Sequence, residues 1–167
     1  MSALPSQSRY IIGTEACERF SFYGMKSILM LYMTGHLLMS DNWATSTLHI
    51  FVGMVYLLPL AGAWLADKVW GRYKTILYIS LLYCVGHGVL ATADLFHTIE
   101  ARRYILMAGL FIIALGAGGI KPCVSAFMGD QIPNKSPQLM TKAFNAFYWA
   151  INLGSFFSFL VIPAMEQ

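Results

Sequence analysis

Four ionisable side chains lie close together in an otherwise apolar stretch near the start of the chain. They are Glu15, Glu18, Arg19 and Lys26, in the run EACERFSFYGMK. At about 100° per residue of α-helix, all four fall within an arc of roughly 100° on one side. A charge at the centre of a bilayer costs about 3 kcal/mol on insertion scales, so such residues usually face a polar interior. The stripe therefore predicts a helix that lines a charge-handling cavity within a membrane.

Two acids beside a base are suited to coupling proton movement to anion binding. Glu15 and Arg19 are four residues apart and can pair along one helix face, which leaves Glu18 as a surplus acid. Protonation of a carboxylate would free the base that it holds, and the freed base could then hold a substrate anion. The alternative is a static network of ion pairs that only joins helices.

Two further polar residues interrupt apolar segments. Lys121, in GAGGIKP, is the only charge between Tyr104 and Phe127. A buried lysine needs an acid, so we expect it to face Glu15 and Glu18, unless it snorkels to the inner interface. Asn152, in FNAFYWAINLGSFF, either bonds a neighbouring helix or contacts a ligand.

Two tyrosines and one turn complete the candidate residues. Tyr23 and Tyr56 lie deep in apolar segments and either pack there or contact a solute. Asp67 and Arg72 lie in LADKVWGRYKT, a tight turn between two apolar segments. An acid and a base at helix ends are ordinary features, but the position of this pair directly after an apolar segment makes it a moderately specific signal.

The composition is that of an integral membrane protein. Apolar residues make up 57% of the 167 residues and charged residues only 11%, whereas soluble domains carry about 25% charge. About 20 residues cross a bilayer core, and the long apolar stretches predict an all-α protein with five transmembrane helices. Their approximate ranges are 10–38, 45–66, 73–94, 104–127 and 143–165.

The chain offers no pattern typical of an enzyme or a metal protein. Cys17, Cys84 and Cys123 are isolated from one another, so no metal site is predicted. Ser125 and His87 lie in different predicted spans without a supporting motif, so no nucleophile–base pair is predicted.

The basic residues of the loops predict the orientation of the chain. Six lie on the side of the N-terminus and two on the opposite side, and Lys and Arg concentrate on the cytoplasmic side of membrane proteins. The N-terminus is therefore predicted to be cytoplasmic, and the formal charge of +3 needs no nucleic-acid partner. The inner set is Arg9, Lys68, Arg72, Lys74, Lys135 and Lys142, and the outer set is Arg102 and Arg103.

These motifs resemble those of one transporter family. EACERFSFYG is similar to the ExxERFxYYG motif of the proton-dependent oligopeptide transporters of the major facilitator superfamily. AGAWLADKVWGRYKTI and FNAFYWAINLGSF resemble the family's signatures for the second-to-third and the fifth helix, and Lys121 falls where the fourth-helix lysine occurs. The resemblance runs over essentially the whole chain, with the motifs in the expected order.

The resemblance implies a role for each candidate residue. Glu15, Glu18 and Arg19 would couple protons to transport, and a cytoplasmic gate would contain Asp67 and Arg72. The substrate would be bound by Arg19, Tyr23, Tyr56, Lys121 and Asn152.

Three departures from the family pattern bear on these roles. Phe22 stands where the family often has a tyrosine, which removes a hydroxyl from the pocket. Lys26 stands where an arginine is common; it would be a gating residue paired with an acid of the seventh helix, and it has no guanidinium fork. The family has twelve core helices, so five would form most of the N-terminal half, which is built as 3+3 inverted repeats.

We therefore expect a proton-coupled symporter of di- and tripeptides in the cytoplasmic (inner) membrane, working by alternating access as part of a longer protein. No cofactor is expected, with protons as the coupling ion. The expected partners are the peptide substrate, membrane lipids and the missing C-terminal half of the transporter. The alternatives are a transporter of nitrate or another small anion with the same fold, or a non-transporting membrane scaffold subunit.

Overall fold

The computed structural model describes residues 4–165, and these residues form helices joined by short turns, without any strand. Two π-helical segments, Tyr32–His36 and Ala66–Trp70, follow α1 and α3, and two 3₁₀ turns, Ala93–Leu95 and Pro133–Lys135, precede α5 and α6. The all-α fold predicted from the composition is confirmed. The α-helices are α1 (Ser6–Leu31), α2 (Asp41–Leu57), α3 (Pro59–Leu65), α4 (Arg72–Ala91), α5 (Ile99–Asp130) and α6 (Pro137–Met165).

Within residues 4–165, four stretches are long and apolar enough to cross a membrane: Asp41–Trp70, Arg72–Leu95, Ile99–Asp130 and Pro137–Met165. The first of them contains both α2 and α3, because Pro59 ends the α2 hydrogen-bond ladder and opens a new helix. α1 has 26 residues, about 39 Å of helix, but its charges lower its mean hydropathy. Where the bilayer begins and ends along these helices stays a prediction.

The helices belong to two compact units. The first contains α1 as far as Ile28 together with the chain from Val124 onward, so it holds the end of α5 and all of α6. The second is Leu29–Cys123 and holds α2, α3, α4 and most of α5.

In the first unit, α6 packs along α1 in the same direction. A Cβ added to Gly154 would lie 2.5 Å from the carbonyl oxygen of Ala16. One turn further, the Ser158 hydroxyl donates a 2.6 Å hydrogen bond to the carbonyl of Phe20. A Cβ on Gly24 would lie 2.9 Å from Ser158 Oγ. Small residues at four-residue spacing thus let the two backbones approach closely.

In the second unit, the glycines of α5 face α4. A Cβ on Gly116 would lie 2.7 Å from Tyr83 Cα, and a Cβ on Gly86 would lie 2.9 Å from the Ile113 nitrogen. Because the two sets of numbers run in opposite directions, the helices are antiparallel. The glycine-rich part of α5 thus lies directly against a neighbouring helix.

One arginine fixes the turn between α1 and α2. The Arg103 guanidinium donates hydrogen bonds of 3.0 and 2.7 Å to the carbonyl of Leu37 and one of 2.8 Å to that of Leu38. Its Cζ also lies 5.7 Å from the Trp43 ring centroid. Leu38 has a φ of 49°, which is uncommon for a residue with a side chain. Arg103 therefore stabilises a turn whose own residues do not favour the conformation.

The turn before α4 depends on Gly71. Its φ of 76° and ψ of 160° belong to a region that only glycine occupies readily. This residue reverses the chain between Ala66–Trp70 and α4, and so sets the relative positions of Asp67 and Arg72.

We predict that Gly62→Ala destabilises the protein while Gly53→Ala does not. A Cβ on Gly62 would lie only 2.6 Å from the Gly119 Cα, so the backbones of α3 and α5 would have to separate, whereas nothing lies within 4 Å of a Cβ on Gly53. Overpacking costs about 1–3 kcal/mol, and alanine favours helix over glycine. The unfolding temperature in detergent should fall by several degrees for Gly62→Ala only, and equal temperatures for the two variants would contradict this packing.

Candidate functional site

A buried charge cluster lies on α1. Glu15, Glu18 and Arg19 are only 5%, 7% and 6% exposed to solvent. Arg19 Nε lies 3.0 Å from Glu15 Oε1 and 2.5 Å from Glu18 Oε2. The predicted pairing of Glu15 with Arg19 is confirmed. Glu18 is not the surplus acid that the spacing suggested, because it shares the same guanidinium group.

The cluster and the packing surface of α1 occupy different faces of the helix. Ala16, Phe20 and Gly24 form the row that contacts α6. Glu15 and Arg19 form a neighbouring row four residues apart, roughly a quarter turn away. The same helix can therefore pack closely on one side and carry charges on another.

One nitrogen of the Arg19 guanidinium has unused hydrogen-bonding capacity. Its Nη2 is buried and has no hydrogen-bond partner within residues 4–165. Its Cζ lies 5.9 Å from the Phe22 ring centroid, and Tyr23 is close enough to interact with its charge. Because buried donors are nearly always paired, Nη2 marks a position where a ligand oxygen could be bound.

Tyr23 and Lys26 continue along α1. The Tyr23 ring packs against Phe22 at 5.5 Å and against Phe159 of α6 at 5.7 Å, measured between ring centroids. Lys26 is half-buried, and within the described part of the chain it forms no ion pair or hydrogen bond. Its predicted partner in a seventh helix stays a prediction.

Two predicted substrate residues meet in the second unit. The Lys121 ammonium of α5 lies 5.1 Å from the centroid of the Tyr56 ring of α2, within the range of a cation–π interaction. Lys121 is half-buried, and Tyr56 is 74% exposed. The pair presents a positive charge beside a largely accessible aromatic ring.

Asn152 lies in an open recess of about 320 Å³ on α6, with Asn145, Tyr148 and Trp149. Its Nδ2 donates a 2.8 Å hydrogen bond to the carbonyl of Tyr148 in its own helix, rather than to a neighbouring helix. Asn145 was absent from the predicted site residues. Its spacing of three, four and seven residues from the other lining residues is the signal that would have included it.

The predicted gate residues flank the Gly71 turn. Asp67 lies in the π-helical segment and is exposed, and Arg72 opens α4 and is half-buried. Both are close enough to influence the Cys123 thiol electrostatically. Among residues 4–165 no group of three or more His, Cys, Asp or Glu side chains could hold a metal ion.

Comparison with known proteins decides the family. Residues 73–167, more than half of the chain, match the sequence profile of the POT family. This chain belongs to the POT family. The predicted resemblance is thereby confirmed, and the family is one of transporters rather than enzymes.

Relatives of known name and structure agree with this assignment. "Peptide transporter family 1" of Drosophila melanogaster is 45% identical over 97% of this chain and 22% of its own length. The crystal structure of the POT family transporter PepTSo is 46% identical, with a TM-score of 0.86, over 98% of this chain and 32% of that one. A POT family transporter in complex with a thioalcohol-conjugated peptide is 28% identical, with a TM-score of 0.82, over 92% of this chain and 31% of that one.

The comparisons establish the fold and the family of the chain, but they do not test the roles of its individual residues. The fold is that of the POT transporters of the major facilitator superfamily, which are multi-pass membrane proteins. The chain spans about a quarter of the length of the curated relatives that it matches. The roles of single residues stay predictions.

We predict that Arg19→Met strongly destabilises the protein at neutral pH. Removing the base leaves two buried carboxylates without their shared partner, and breaking a buried ion pair in this way costs about 3–5 kcal/mol. The triple change Glu15→Gln, Glu18→Gln, Arg19→Met should restore most of the loss, since it removes the buried charge.

The measurement is thermal unfolding of the full-length protein in detergent. Arg9→Met is the matched control, because Arg9 lies on the same helix and is exposed. An Arg19→Met protein as stable as the Arg9→Met protein would contradict the shared ion pair.

Proposed function

We propose that this chain is part of a proton-coupled symporter that carries di- and tripeptides across the cytoplasmic membrane. The observation that carries the proposal is the buried Arg19, held by two carboxylates on one side and with Nη2 left without a partner among the described residues. A family of peptide transporters supports the substrate class.

Proton coupling follows from the charge count of the cluster. With both carboxylates ionised, Glu15, Glu18 and Arg19 carry a net charge of about −1 in an apolar setting. A proton taken up by Glu18 or Glu15 removes that excess and loosens one of the two contacts to Arg19. The released guanidinium can then bind the peptide carboxylate, so proton and peptide bind together. Loss of the proton reverses both steps, and protons are the only coupling agent proposed.

The remaining substrate contacts are assigned by chemistry. Lys121 beside Tyr56 offers the substrate a positive charge and an aromatic face. Tyr23 and Asn152 supply further hydrogen-bonding groups. The relative solved with a thioalcohol-conjugated peptide supports a pocket that accepts a peptide with an attached group.

Transport also needs parts that lie outside this sequence. We infer that the chain supplies most of the N-terminal helix bundle of a longer transporter, with its N-terminus in the cytoplasm and lipid around its helices. Rocking of this bundle against a C-terminal half would expose the site alternately to each side. Lys26, Asp67 and Arg72 would then form and break gate contacts during that motion.

We predict that Glu18→Gln abolishes proton-driven uptake of a labelled dipeptide by the full-length protein but preserves exchange of dipeptide across vesicles. The amide resembles a carboxyl group that cannot release its proton, so substrate can cycle without net proton movement. Glu100→Gln, which changes an exposed acid at the start of α5, serves as the control. Accumulation driven by a pH gradient in Glu18→Gln vesicles would remove Glu18 from the coupling group.

We predict that Lys121→Ala weakens dipeptide binding about tenfold or more without preventing insertion, because a charge-assisted contact of about 1.5–3 kcal/mol is lost. Lys142→Ala, a change at an exposed lysine of α6, should leave affinity unchanged. Binding measured by calorimetry in detergent checks both variants, and equal affinities would exclude Lys121 from the site.

Competition separates peptide from small-anion transport. The buried Arg19 and the half-buried Lys121 could hold any anion. Uptake of labelled dialanine should therefore be measured against excess unlabelled dipeptide and excess nitrate. Competition by dipeptide alone supports the proposal. Competition by nitrate alone would favour the small-anion transporter instead.

A further inference from the structure

A second, apolar groove is lined by none of the residues proposed for transport. It has a volume of about 270 Å³ and lies among α3, α4 and α5 of the second unit. Its lining is apolar except for the polar tips of Trp70 and Tyr78. The aliphatic part of the lining includes Leu58, Leu65, Leu82 and Leu115.

The chemistry of the groove changes in order along α4. Leu82, Tyr78 and Lys74 follow one another at four-residue spacing and therefore form one row on the helix. Leu82 and Tyr78 line the groove, and the row continues to the exposed Lys74. From Leu82 to Lys74 the row is about 12 Å long at 1.5 Å per residue. The groove thus leads from aliphatic side chains, past an aromatic ring, to a positive charge.

The aromatic part is formed by two rings. Trp70 and Tyr78 contact each other edge to face, with centroids 5.5 Å apart and planes at 75°. They are 42% and 49% exposed. Tryptophan and tyrosine with one apolar side and one polar tip are typical of the level of the lipid headgroups.

Two lysines lie close in sequence to the aromatic part of the groove: Lys68 is two residues before Trp70, and Lys74 is four residues before Tyr78. Lys68 and Lys74 are both exposed, and within residues 4–165 neither forms an ion pair. Each basic residue near a membrane surface raises the affinity for acidic lipid about fivefold. This charge favours an anionic ligand.

We propose that this groove binds one anionic phospholipid of the cytoplasmic leaflet. One acyl chain lies along the leucines, the ester region lies at Trp70 and Tyr78, and the phosphate contacts Lys74 and Lys68. The distance of about 12 Å from Leu82 to Lys74 fits within one leaflet of hydrocarbon, about 15 Å thick. The inference adds a lipid site to the proposed transport function, and it requires only that the Lys74 end of α4 faces the cytoplasm.

Tryptophan fluorescence tests the site directly. In the full-length protein, every tryptophan except Trp70 is changed to phenylalanine, and the protein is reconstituted into vesicles that contain phospholipids with brominated, quenching acyl chains. We expect half-quenching at a mole fraction of brominated phosphatidylglycerol that is lower than that of brominated phosphatidylcholine by at least about fivefold, the effect of one lysine. The double change Lys68→Gln, Lys74→Gln should remove that preference, and Lys142→Gln should retain it.

A matched protein that keeps only Trp64 is the positional control. Trp64 lies on α3 and is 59% exposed, but it does not line the groove. Its quenching should be the same with both lipids. Equal quenching of Trp70 by both lipids would overturn the proposal, as would a preference that survives the loss of both lysines. Absence of any Trp70 quenching would show that another part of the transporter covers the groove, and would also overturn it.

A second experiment keeps all the natural tryptophans and so does not depend on their replacement by phenylalanine. Native mass spectrometry of the full-length protein, released from micelles with phosphatidylglycerol, should show one retained lipid that is lost in Lys68→Gln, Lys74→Gln. The Lys142→Gln protein should retain it. The same lipid count in all three proteins would reject the site.

Discussion

The burial of Arg19 between two carboxylates is the interaction on which the rest of the first unit depends. An ion pair in an apolar interior is stable only where its partners are fixed and water and lipid are kept out. α6 meets part of that requirement by packing its small residues against Ala16, Phe20 and Gly24 of α1. The charged row and the packed row therefore constrain each other, because a looser contact with α6 would let α1 rotate and move the charges.

Glycine has the same positioning role in the second unit. The contact of Gly62 with Gly119 brings the backbones of α3 and α5 together, and a Cβ on Gly118 would lie 2.7 Å from Leu58 Cβ. Gly118 and Gly119 lie within one turn of Lys121, and Leu58 lies two residues after Tyr56, so these contacts help to fix the distance at which the ammonium faces the ring. Close backbone packing thus determines the geometry of a polar contact that glycine itself cannot make.

The sequence predicted those features that depend on local spacing. Helix periodicity placed Glu15 and Arg19 on one face, and apolar length predicted the helices themselves. The sharing of Arg19 by Glu18 depends on side-chain rotamers, which spacing does not specify. The Ser158 bond to Phe20 and the proximity of Lys121 to Tyr56 depend on the register between helices, which no single segment encodes. Pro59 itself is a local signal for the division of the second predicted span. The apolar residues on both sides of it nevertheless predicted one continuous helix.

The amide of Asn152 has a consequence for what its recess can recognise. Its Nδ2 already donates to the carbonyl of Tyr148, and turning the amide over would place two oxygens against each other. That bond uses one of the two N–H groups of Nδ2, so the second N–H and the Oδ1 oxygen both remain to meet a molecule in the recess. Asn152 therefore offers one donor and one acceptor to the recess, a combination that matches an amide group, whose carbonyl accepts and whose N–H donates.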